Sequence, residues 1–190
     1  MRVIAGVARG RRLSAVPGTG TRPITDRAKE ALFSILADGI VGARVLDLFA
    51  GTGGVGIEAL SRGASWCDFV DLSPGAVRTV ARNLARTDLG DRARVWRRDV
   101  FDWLSRPPES GYDLVYVAPP QYRGLWLRTL RAIGDGPSWL AAGGKVVVQI
   151  DPREEQALDL AAFELADRRR YGGVLLLFWR RPPPPPAGHP

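Results

Sequence analysis

Cysteine, histidine and lysine are scarce in this 190-residue chain, and each scarcity excludes something. A single cysteine, Cys67, rules out an intrachain disulfide and suits a reducing compartment. With one histidine, His189, an all-protein zinc site is not expected, and we predict no metal. No apolar run reaches the ~20 residues that span a bilayer, and the N-terminus lacks the apolar core of a signal peptide. The sequence therefore predicts a soluble, cytoplasmic protein that does not associate with membranes.

Positive charge is abundant but unevenly distributed. The net charge is +7, and only two of the 27 basic residues are lysines. Residues 1–30 hold seven basic and two acidic residues, a balance of +5, which leaves +2 for the rest of the chain. A basic arm on a nearly neutral domain indicates a polyanionic partner, although a merely solvated charge run is the alternative. The arginines expected to contact nucleic acid are Arg9, Arg11, Arg12, Arg22 and Arg27.

The length and composition predict one folded domain between two different ends. Residues 1–24 form the basic extension, whose weak alternation and glycine breakers predict a short hairpin. Residues 25–181 form the domain. Residues 182–190 are rich in proline and are expected to be disordered.

Strand and helix patterns alternate along the domain, which predicts an α/β fold with a mostly parallel sheet covered on both faces. Apolar strands are predicted near 44–48, 67–71, 93–97, 113–117 and 144–150. Helices are predicted near 25–36, 54–62, 74–87, 122–134 and 153–159. Two further apolar stretches, 162–168 and 173–179, predict an antiparallel hairpin at one edge and bring the sheet to seven strands.

A glycine turn follows the first predicted strand, in the segment Val45-Leu-Asp-Leu-Phe-Ala-Gly-Thr-Gly-Gly-Val-Gly56. Gly51, Gly53 and Gly56 match the dinucleotide pattern G-x-G-x-x-G, which is a weak signal by itself. Asp47 makes it more specific, because a carboxylate at the mouth of the turn repels a pyrophosphate but suits a ligand with an ammonium and a sulfonium. S-adenosylmethionine is such a ligand, so the segment favours a methyl-donor site over a tight turn without a ligand.

Acidic residues also follow the second and third predicted strands. Asp71, with Leu72 beside it, lies 20 residues after Gly51, where a carboxylate can accept both hydroxyls of a ribose. Asp99 can accept the exocyclic amine of an adenine, with Val100 against the ring. Each acid has a structural alternative as a helix N-cap. Together they indicate an adenosine-bearing ligand, and NAD fits almost as well as S-adenosylmethionine.

The fourth predicted strand ends in Val117-Ala-Pro-Pro-Gln-Tyr122. Pro119 and Pro120 cannot donate hydrogen bonds, so they leave backbone carbonyls free to receive the N–H of an amino group being methylated. An aromatic nearby, such as Tyr122, can stack on the base that presents the amine. A turn that merely stops the strand is the alternative. The six tryptophans are expected to serve packing rather than to stack on bases.

Together these motifs resemble the class I methyltransferases that modify exocyclic amines, which carry D-x-F-x-G-x-G, acids after the next two strands, and [D/N/S]-P-P-[Y/F]. Three N-terminal segments are similar to the opening of the bacterial 16S rRNA guanine-N2 methyltransferases, the RsmD family: Arg2-Val-Ile-Ala-Gly6, Gly10-Arg-Arg-Leu13 and Thr21-Arg-Pro-Ile-Thr-Asp-Arg-Ala-Lys-Glu-Ala-Leu-Phe33. The similarity covers residues 1 to about 180. It implies a Rossmann-like monomer that methylates the N2 amine of a guanine in small-subunit rRNA, free or within an assembling ribosomal particle.

The resemblance also implies roles for individual residues. The residues that would hold S-adenosylmethionine are Asp47, Phe49, Gly51, Gly53, Asp71, Leu72, Asp99 and Val100. Those that would face the target base are Ala118, Pro119, Pro120 and Tyr122. The chain departs from the family at Ala118 and Gln121, where most members have an acid and an aromatic. Losing one charge-assisted hydrogen bond costs about 1.5–3 kcal/mol, or roughly 10- to 100-fold in rate, and the Gln121 amide offers a replacement acceptor.

Other functions stay open at this point. The enzyme could methylate an adenine amine in DNA or RNA, or a glutamine amide in a protein. A non-catalytic RNA-binding or ribosome-assembly factor is a different class, and Ala118 is its best support. An NAD oxidoreductase is disfavoured by Asp47 and by the Pro-Pro turn.

Overall fold

The computed structural model describes residues 1–18, 24–136 and 139–181. Its centre is a sheet of seven strands in the order β3-β2-β1-β4-β5-β7-β6. The strands are β1 Arg44–Leu48, β2 Trp66–Asp71, β3 Ala93–Arg97, β4 Tyr112–Val117, β5 Leu140–Ile150, β6 Glu164–Tyr171 and β7 Val174–Arg180. The helices are α1 Asp26–Leu36, α2 Gly54–Ser61, α3 Pro74–Thr87, α4 Val100–Leu104 and α5 Leu125–Asp135.

The sheet is parallel except at β7, which runs antiparallel to both of its neighbours, β5 and β6. The predicted α/β sheet of seven strands with an antiparallel edge hairpin is therefore confirmed. The chain passes from β1 to β2 and β3 on one side and then returns to place β4 on the other side of β1. This reversal opens a crevice at the carboxyl ends of β1 and β4, where open α/β sheets bind ligands.

Two apolar layers cover the sheet, because alternate residues of each strand point to opposite faces. On β1, Val45 joins the layer made with α1, α2 and α3, whereas Leu46 and Leu48 join the layer made with α4 and α5. The central strands are buried on both faces, as in parallel sheets generally. The apolar runs of the sequence follow from this double coverage.

Local capping chemistry sets the bounds of two helices. The Thr25 hydroxyl accepts the Ala28 N–H at 3.2 Å and begins α1. At α3 the Ser73 hydroxyl accepts the Ala76 N–H at 3.4 Å, and Pro74 occupies the first turn. Asp88 then ends α3 in the left-handed conformation, with φ 59°.

One helix prediction was wrong, and one short helix was not predicted. The helix expected at 153–159 is only a short 3-10 turn over Pro152–Glu154, begun by the Asp151 carboxylate, and no helix follows it. The sequence pattern also missed α4, because five residues are too few to show a helical period.

The N-terminal segment, residues 1–18, packs against α2. A single antiparallel bridge, Arg2 opposite Arg12, stands where the hairpin was expected. Val3, Ala8 and Leu13 are buried in the same core layer as α2, whose eight residues are all buried. Within the described residues, no helix is long and apolar enough to cross a membrane. Part of the predicted basic arm, residues 19–23, and the predicted disordered tail, residues 182–190, lie outside the described residues.

Candidate active site

A cavity of about 600 Å³ opens where the strand order reverses. Its walls come from the segments that follow β1, β2, β3 and β4, so it gathers residues that are far apart in the sequence. Of the predicted site residues, those that line it are Asp47, Phe49, Gly51, Asp71, Leu72, Asp99, Val100, Ala118, Pro119 and Pro120. Gly53 and Tyr122 are not among its described lining residues.

The glycine turn after β1 forms one wall in an unusual backbone conformation. Phe49, Gly51 and Gly53 have φ values of 59°, 56° and 73°, in the left-handed region that favours glycine. The Gly53 N–H donates to the Ala50 carbonyl at 2.7 Å and closes the turn. Gly53 therefore stabilises the turn without lining the cavity, whereas the backbone of Gly51 lines it.

Asp47 is a buried carboxylate at the base of the cavity, only 2% exposed. Its Oδ2 accepts the Gly56 N–H of α2 at 3.0 Å. Burial raises the pKa of Asp47 to about 8, with a smaller contribution in the same direction from the charge of Asp71, while the hydrogen bond from Gly56 opposes the rise. Such a carboxyl gains most from a cationic ligand, because a positive charge beside it restores the ionised form.

Asp71, at the end of β2, holds the glycine turn and faces the cavity. Its Oδ2 accepts the Gly51 N–H at 2.9 Å and its Oδ1 accepts the Ser73 N–H at 2.8 Å. It does not cap α3, since Ser73 does so. Each carboxylate oxygen of Asp71 can accept one more hydrogen bond, so the two oxygens together can accept the two neighbouring hydroxyls of a ribose.

Asp99 lines the cavity, as predicted, and it also caps α4, which was the alternative role for this residue. Its Oδ1 accepts the N–H of Phe101 at 2.8 Å and of Asp102 at 3.3 Å. No donor among the described residues reaches Oδ2. One carboxylate oxygen is therefore committed to the fold, and the other is available to a ligand.

The Pro-Pro segment after β4 forms the opposite wall. Ala118 is half-buried and its N–H donates to the Leu48 carbonyl at 3.4 Å, which ties the end of β4 to the end of β1. Pro119 is buried, Pro120 is exposed, and the half-buried Gln121 lines the cavity beside them. Gln121 thus contributes the polar side chain that Ala118 lacks.

Tyr122 points elsewhere. Its ring is 60% exposed, and its backbone N–H donates to Glu154 Oε1 at 2.7 Å. The hydroxyl donates to the Asp151 carboxylate, and this hydrogen bond is the main cause of the raised pKa of Tyr122. Stacking of Tyr122 on a base would require this contact to open.

Several polar residues of the cavity were not predicted from the sequence, among them the paired side chains of Tyr116 and Gln149. The Tyr116 hydroxyl donates to Gln149 Oε1 at 2.5 Å, and both side chains are buried. Burial raises the pKa of Tyr116, so the hydroxyl stays protonated and remains a donor. A signal for Gln149 was present in the sequence, since it is the one polar residue in the apolar run Val146–Ile150 near the end of β5.

The predicted RNA-binding arginines that the structure describes are exposed. Arg9, Arg11, Arg12 and Arg27 all project from the surface, while Arg22 lies outside the described residues. One Arg11 nitrogen donates to the Arg86 carbonyl at 2.6 Å.

Asn83 joins the basic segment to the cavity. Its amide nitrogen donates to the carbonyls of Ser14, at 3.1 Å, and Thr52, at 2.9 Å, and its oxygen accepts the Ser14 N–H at 2.7 Å. Thr52 lines the cavity, so the Asn83 side chain links the N-terminal segment to the glycine turn.

A sheet in this order, with an antiparallel strand beside its edge and a glycine turn after β1, is the Rossmann-like fold of the class I methyltransferases. The family model described as Conserved hypothetical protein 95 matches residues 1–180. The chain belongs to that family, which is the RsmD-like family that the sequence resembles.

Relatives span most of the chain. The protein YlbH of Bacillus subtilis is 39% identical over 174 residues, which cover 90% of this chain and 94% of YlbH. The Escherichia coli protein named Ribosomal RNA small subunit methyltransferase D is 37% identical over 149 residues, or 78% of this chain and 74% of the relative. Among solved structures, yhhF of Escherichia coli superposes with a TM-score of 0.82 at 35% identity, over 95% of this chain and 97% of yhhF.

Proposed function

We propose that this protein transfers a methyl group from S-adenosylmethionine to the exocyclic N2 amine of a guanine in small-subunit rRNA. The observation that carries the proposal is the meeting of three carboxylates with the Pro-Pro segment around one cavity. The family supports it, because a relative at 37% identity is named for methyl transfer to small-subunit rRNA.

The cavity suits S-adenosylmethionine in size and in chemistry. A volume of about 600 Å³ lies within the usual range for small-molecule sites. The residues that would hold the ligand divide its parts among them: Asp47 and the glycine turn take the ammonium end, Asp71 the ribose hydroxyls, and Asp99 Oδ2 the adenine amine. When bound, the ligand supplies an electrophilic methyl group on a sulfonium.

The Pro-Pro wall orients the target amine. The carbonyls of Ala118 and Pro119 accept the N–H bonds of the guanine amine, which directs the nitrogen lone pair towards the methyl donor. Bound S-adenosylmethionine would supply the methyl group and leave as its thioether, and the methylated nitrogen, oriented by these carbonyls, would release a proton to water. Gln121 lines the same wall and offers its amide oxygen in place of the missing acid, and orientation contributes most of the remaining acceleration.

The N-terminal segment binds the RNA. Its exposed arginines lie on a segment fastened to the glycine turn through Asn83, so RNA bound there is held beside the cavity mouth. If about four arginines contact phosphate, affinity falls roughly 100-fold between 50 and 200 mM salt.

Two observations favour a second candidate, a non-catalytic RNA-binding factor. Ala118 removes the side-chain acceptor for the amine, and Tyr122 is engaged with Asp151 instead of lining the cavity. Such a factor would bind RNA and the cofactor without turnover.

Methyl transfer to small-subunit rRNA, and to particles lacking their native methylation, separates the two candidates. The assay measures label from S-adenosylmethionine and identifies the modified nucleoside. We expect label in N2-methylguanosine. Label in another nucleoside contradicts the guanine assignment, and absence of label with intact, salt-sensitive RNA binding favours the non-catalytic factor.

A matched pair of variants tests the cofactor assignment. Asp99→Ser keeps a good N-cap for α4 but cannot reach a ligand, and Asp102→Ser removes an exposed acid from the same helix. We expect KM for S-adenosylmethionine to rise at least ~10-fold in Asp99→Ser, because one charge-assisted hydrogen bond is lost, and to stay unchanged in Asp102→Ser. Equal KM values in both variants would contradict the role of Asp99.

A further inference from the structure

A second cavity, of about 520 Å³, lies away from the candidate active site. It is lined by Arg44, Trp66 and Tyr112, the first residues of β1, β2 and β4, whereas the active-site cavity lies at the opposite ends of these strands. The two ends of β1, which has five residues, are about 13 Å apart. No described residue lines both cavities.

Aromatic side chains make up much of the wall of this second cavity. Four of the six tryptophans of the chain line it, together with Tyr112. Trp96 and Trp103 lie 4.9 Å apart between ring centroids, and Tyr112 stacks on Trp139 at 6.3 Å. Trp139 is a core residue and Trp96 and Trp103 pack against the same core, as expected for the tryptophans, and the rings also surround this cavity.

The one buried carboxylate in the wall, Asp68, is already satisfied by neutral donors. Its Oδ2 accepts the Trp66 indole N–H at 2.8 Å and the Tyr112 hydroxyl at 2.9 Å. Its Oδ1 accepts the Trp96 indole N–H at 2.8 Å. Asp68 therefore orients three aromatic rings and pairs with no arginine within the described residues.

Three buried donors of the wall have no acceptor among the described residues, namely Arg44 Nε, Trp103 Nε1 and Trp139 Nε1. Trp139 is only 2% exposed, so bulk water does not serve its N–H. Across residues 1–18, 24–136 and 139–181 only four buried side-chain atoms lack a partner, and three of them belong to this cavity. These three N–H groups are buried behind the cavity surface, so a ligand would reach them only after the rings shift, and they mark this wall as the least completely paired part of the described residues.

The cavity is also electropositive. Four arginines, Arg44, Arg94, Arg98 and Arg106, face two acids, Asp68 and Glu109, which leaves a balance of +2. In the described part of the chain none of these arginines forms a salt bridge. The Arg94 guanidinium lies 4.1 Å from the Trp96 ring centroid, so even this cation is arranged around an aromatic surface.

We infer that this cavity binds one nucleotide of a single-stranded segment of the RNA substrate. A nucleotide matches what the wall presents at its surface, with a flat base for the half-buried tryptophans Trp66, Trp96 and Trp103 and a phosphate for the arginines. Bases in single strands are free to stack on tryptophan, whereas those in a duplex are not. The inference rests on the proposed function in that RNA is the partner, and it adds a second anchor on a part of the molecule remote from the reacting amine.

The test uses the full-length protein and a single-stranded RNA hexamer, with intrinsic tryptophan fluorescence and competition binding as readouts. The double variant Arg98→Gln/Arg106→Gln removes two of the four cations that line the cavity. Arg131→Gln, an exposed arginine of α5 that lines neither cavity, is the control, and the single variants Arg98→Gln and Arg106→Gln match it in charge. Thermal unfolding of each variant verifies that the fold is intact.

We expect the hexamer to quench tryptophan fluorescence in the parent protein. We expect the double variant to bind it about 10-fold or more weakly, with a shallower salt dependence, while the Arg131→Gln variant binds as the parent does. KM for rRNA should rise with kcat unchanged, because the cavity does not touch the reacting amine.

Three results would overturn the inference: equal RNA affinity in the double variant and the control, a free mononucleotide binding as tightly as the hexamer, or an acidic peptide displacing the hexamer from the cavity. These failures are distinct from failure of the proposed function. If the parent protein transfers methyl groups but the variants bind RNA as tightly as the parent does, only the second site is refuted. If the hexamer quenches the fluorescence but no methyl transfer occurs, only the assignment as an enzyme is refuted.

Discussion

Replacing Glu58 by glutamine should loosen the N-terminal segment and destabilise the whole domain. The Glu58 carboxylate is fully buried in α2 and accepts the backbone N–H groups of Ile4 at 2.8 Å and Ala5 at 2.9 Å. It also pairs with Arg62 at 2.9 Å and with the buried Lys29 at 3.2 Å. A single side chain thus holds the segment, α1 and α2 together.

The magnitude follows from Lys29, whose ammonium is fully buried. Burial lowers the pKa of Lys29, and the charge of Glu58 opposes that fall. Removing one partner of a buried ion pair costs about 3–5 kcal/mol, because the other charge is left uncompensated. For a domain of this size each kcal/mol shifts Tm by about 2–4 °C, so we expect Tm to fall by roughly 6–20 °C in Glu58→Gln.

Urea and thermal unfolding measure the loss of stability, and hydrogen exchange at the amides of Ile4 and Ala5 reports the release of the segment. Glu30→Gln, which changes an exposed acid on α1, is the control and should stay within ~0.5 kcal/mol of the parent. Adding Lys29→Met to Glu58→Gln should recover part of the stability, because the unpaired charge is then gone.

A loss below ~1 kcal/mol in Glu58→Gln would refute this reasoning, as would full protection of the Ile4 and Ala5 amides in that variant. Either result would mean that apolar packing of Val3 and Ala8, and not the carboxylate, holds the segment in place.

The remaining predictions concern the cavity and its walls. Because folding raises the pKa of Asp47 from 3.8 to about 8, the native state keeps a proton that the unfolded state has released between these pH values. The free energy of unfolding should therefore fall as pH rises through this range, by up to about 1.4 kcal/mol per pH unit. Unfolding measured over the same pH range in Asp47→Asn should lack this fall. In the same pH range, affinity for S-adenosylmethionine measured by calorimetry should rise up to about pH 8 in the parent and stay flat in Asp47→Asn. Gly56→Ala should lower the free energy of unfolding by about 1–3 kcal/mol, since its Cβ would lie 2.3 Å from the Phe69 ring, whereas Gly90→Ala, with open space around it, should not be destabilising. Ala118→Asp should raise kcat for methyl transfer about 10- to 100-fold by restoring an acidic acceptor; an unchanged or lower kcat would show that Gln121 already serves that purpose.

Much of the fold was predictable because the central strands are buried on both faces. The runs around Val45 and Val115 are apolar for that reason, and their bounds were predicted to within a residue or two. The bounds of α3 were predicted because Ser73 and Pro74 carry a local start signal. Where the local signal was weak, at α4 and at residues 153–159, the predictions failed.

The position of most candidate cofactor residues was also predictable, through the rule that ligands lie at the carboxyl ends of parallel strands. Asp47, Asp71 and Asp99 lie at or just after the carboxyl ends of three different strands, yet all three line one cavity. The rule does not extend to side-chain direction. Tyr122 is close to the cavity in sequence, but its hydroxyl bonds to Asp151.

The sequence by itself determined the strand–helix alternation, the glycine turn and the acids at the strand ends, because each depends on neighbouring residues and on the period of the backbone. Only the tertiary structure decided which distant residues meet. Glu58 holds Ile4 across 54 positions, Tyr116 bonds to Gln149 across 33, and Trp66, Trp96, Trp103 and Trp139 enclose one cavity. Such contacts depend on strand order and on packing across the sheet, which no local pattern records, because the residues involved become neighbours only once the sheet has closed around its two apolar layers.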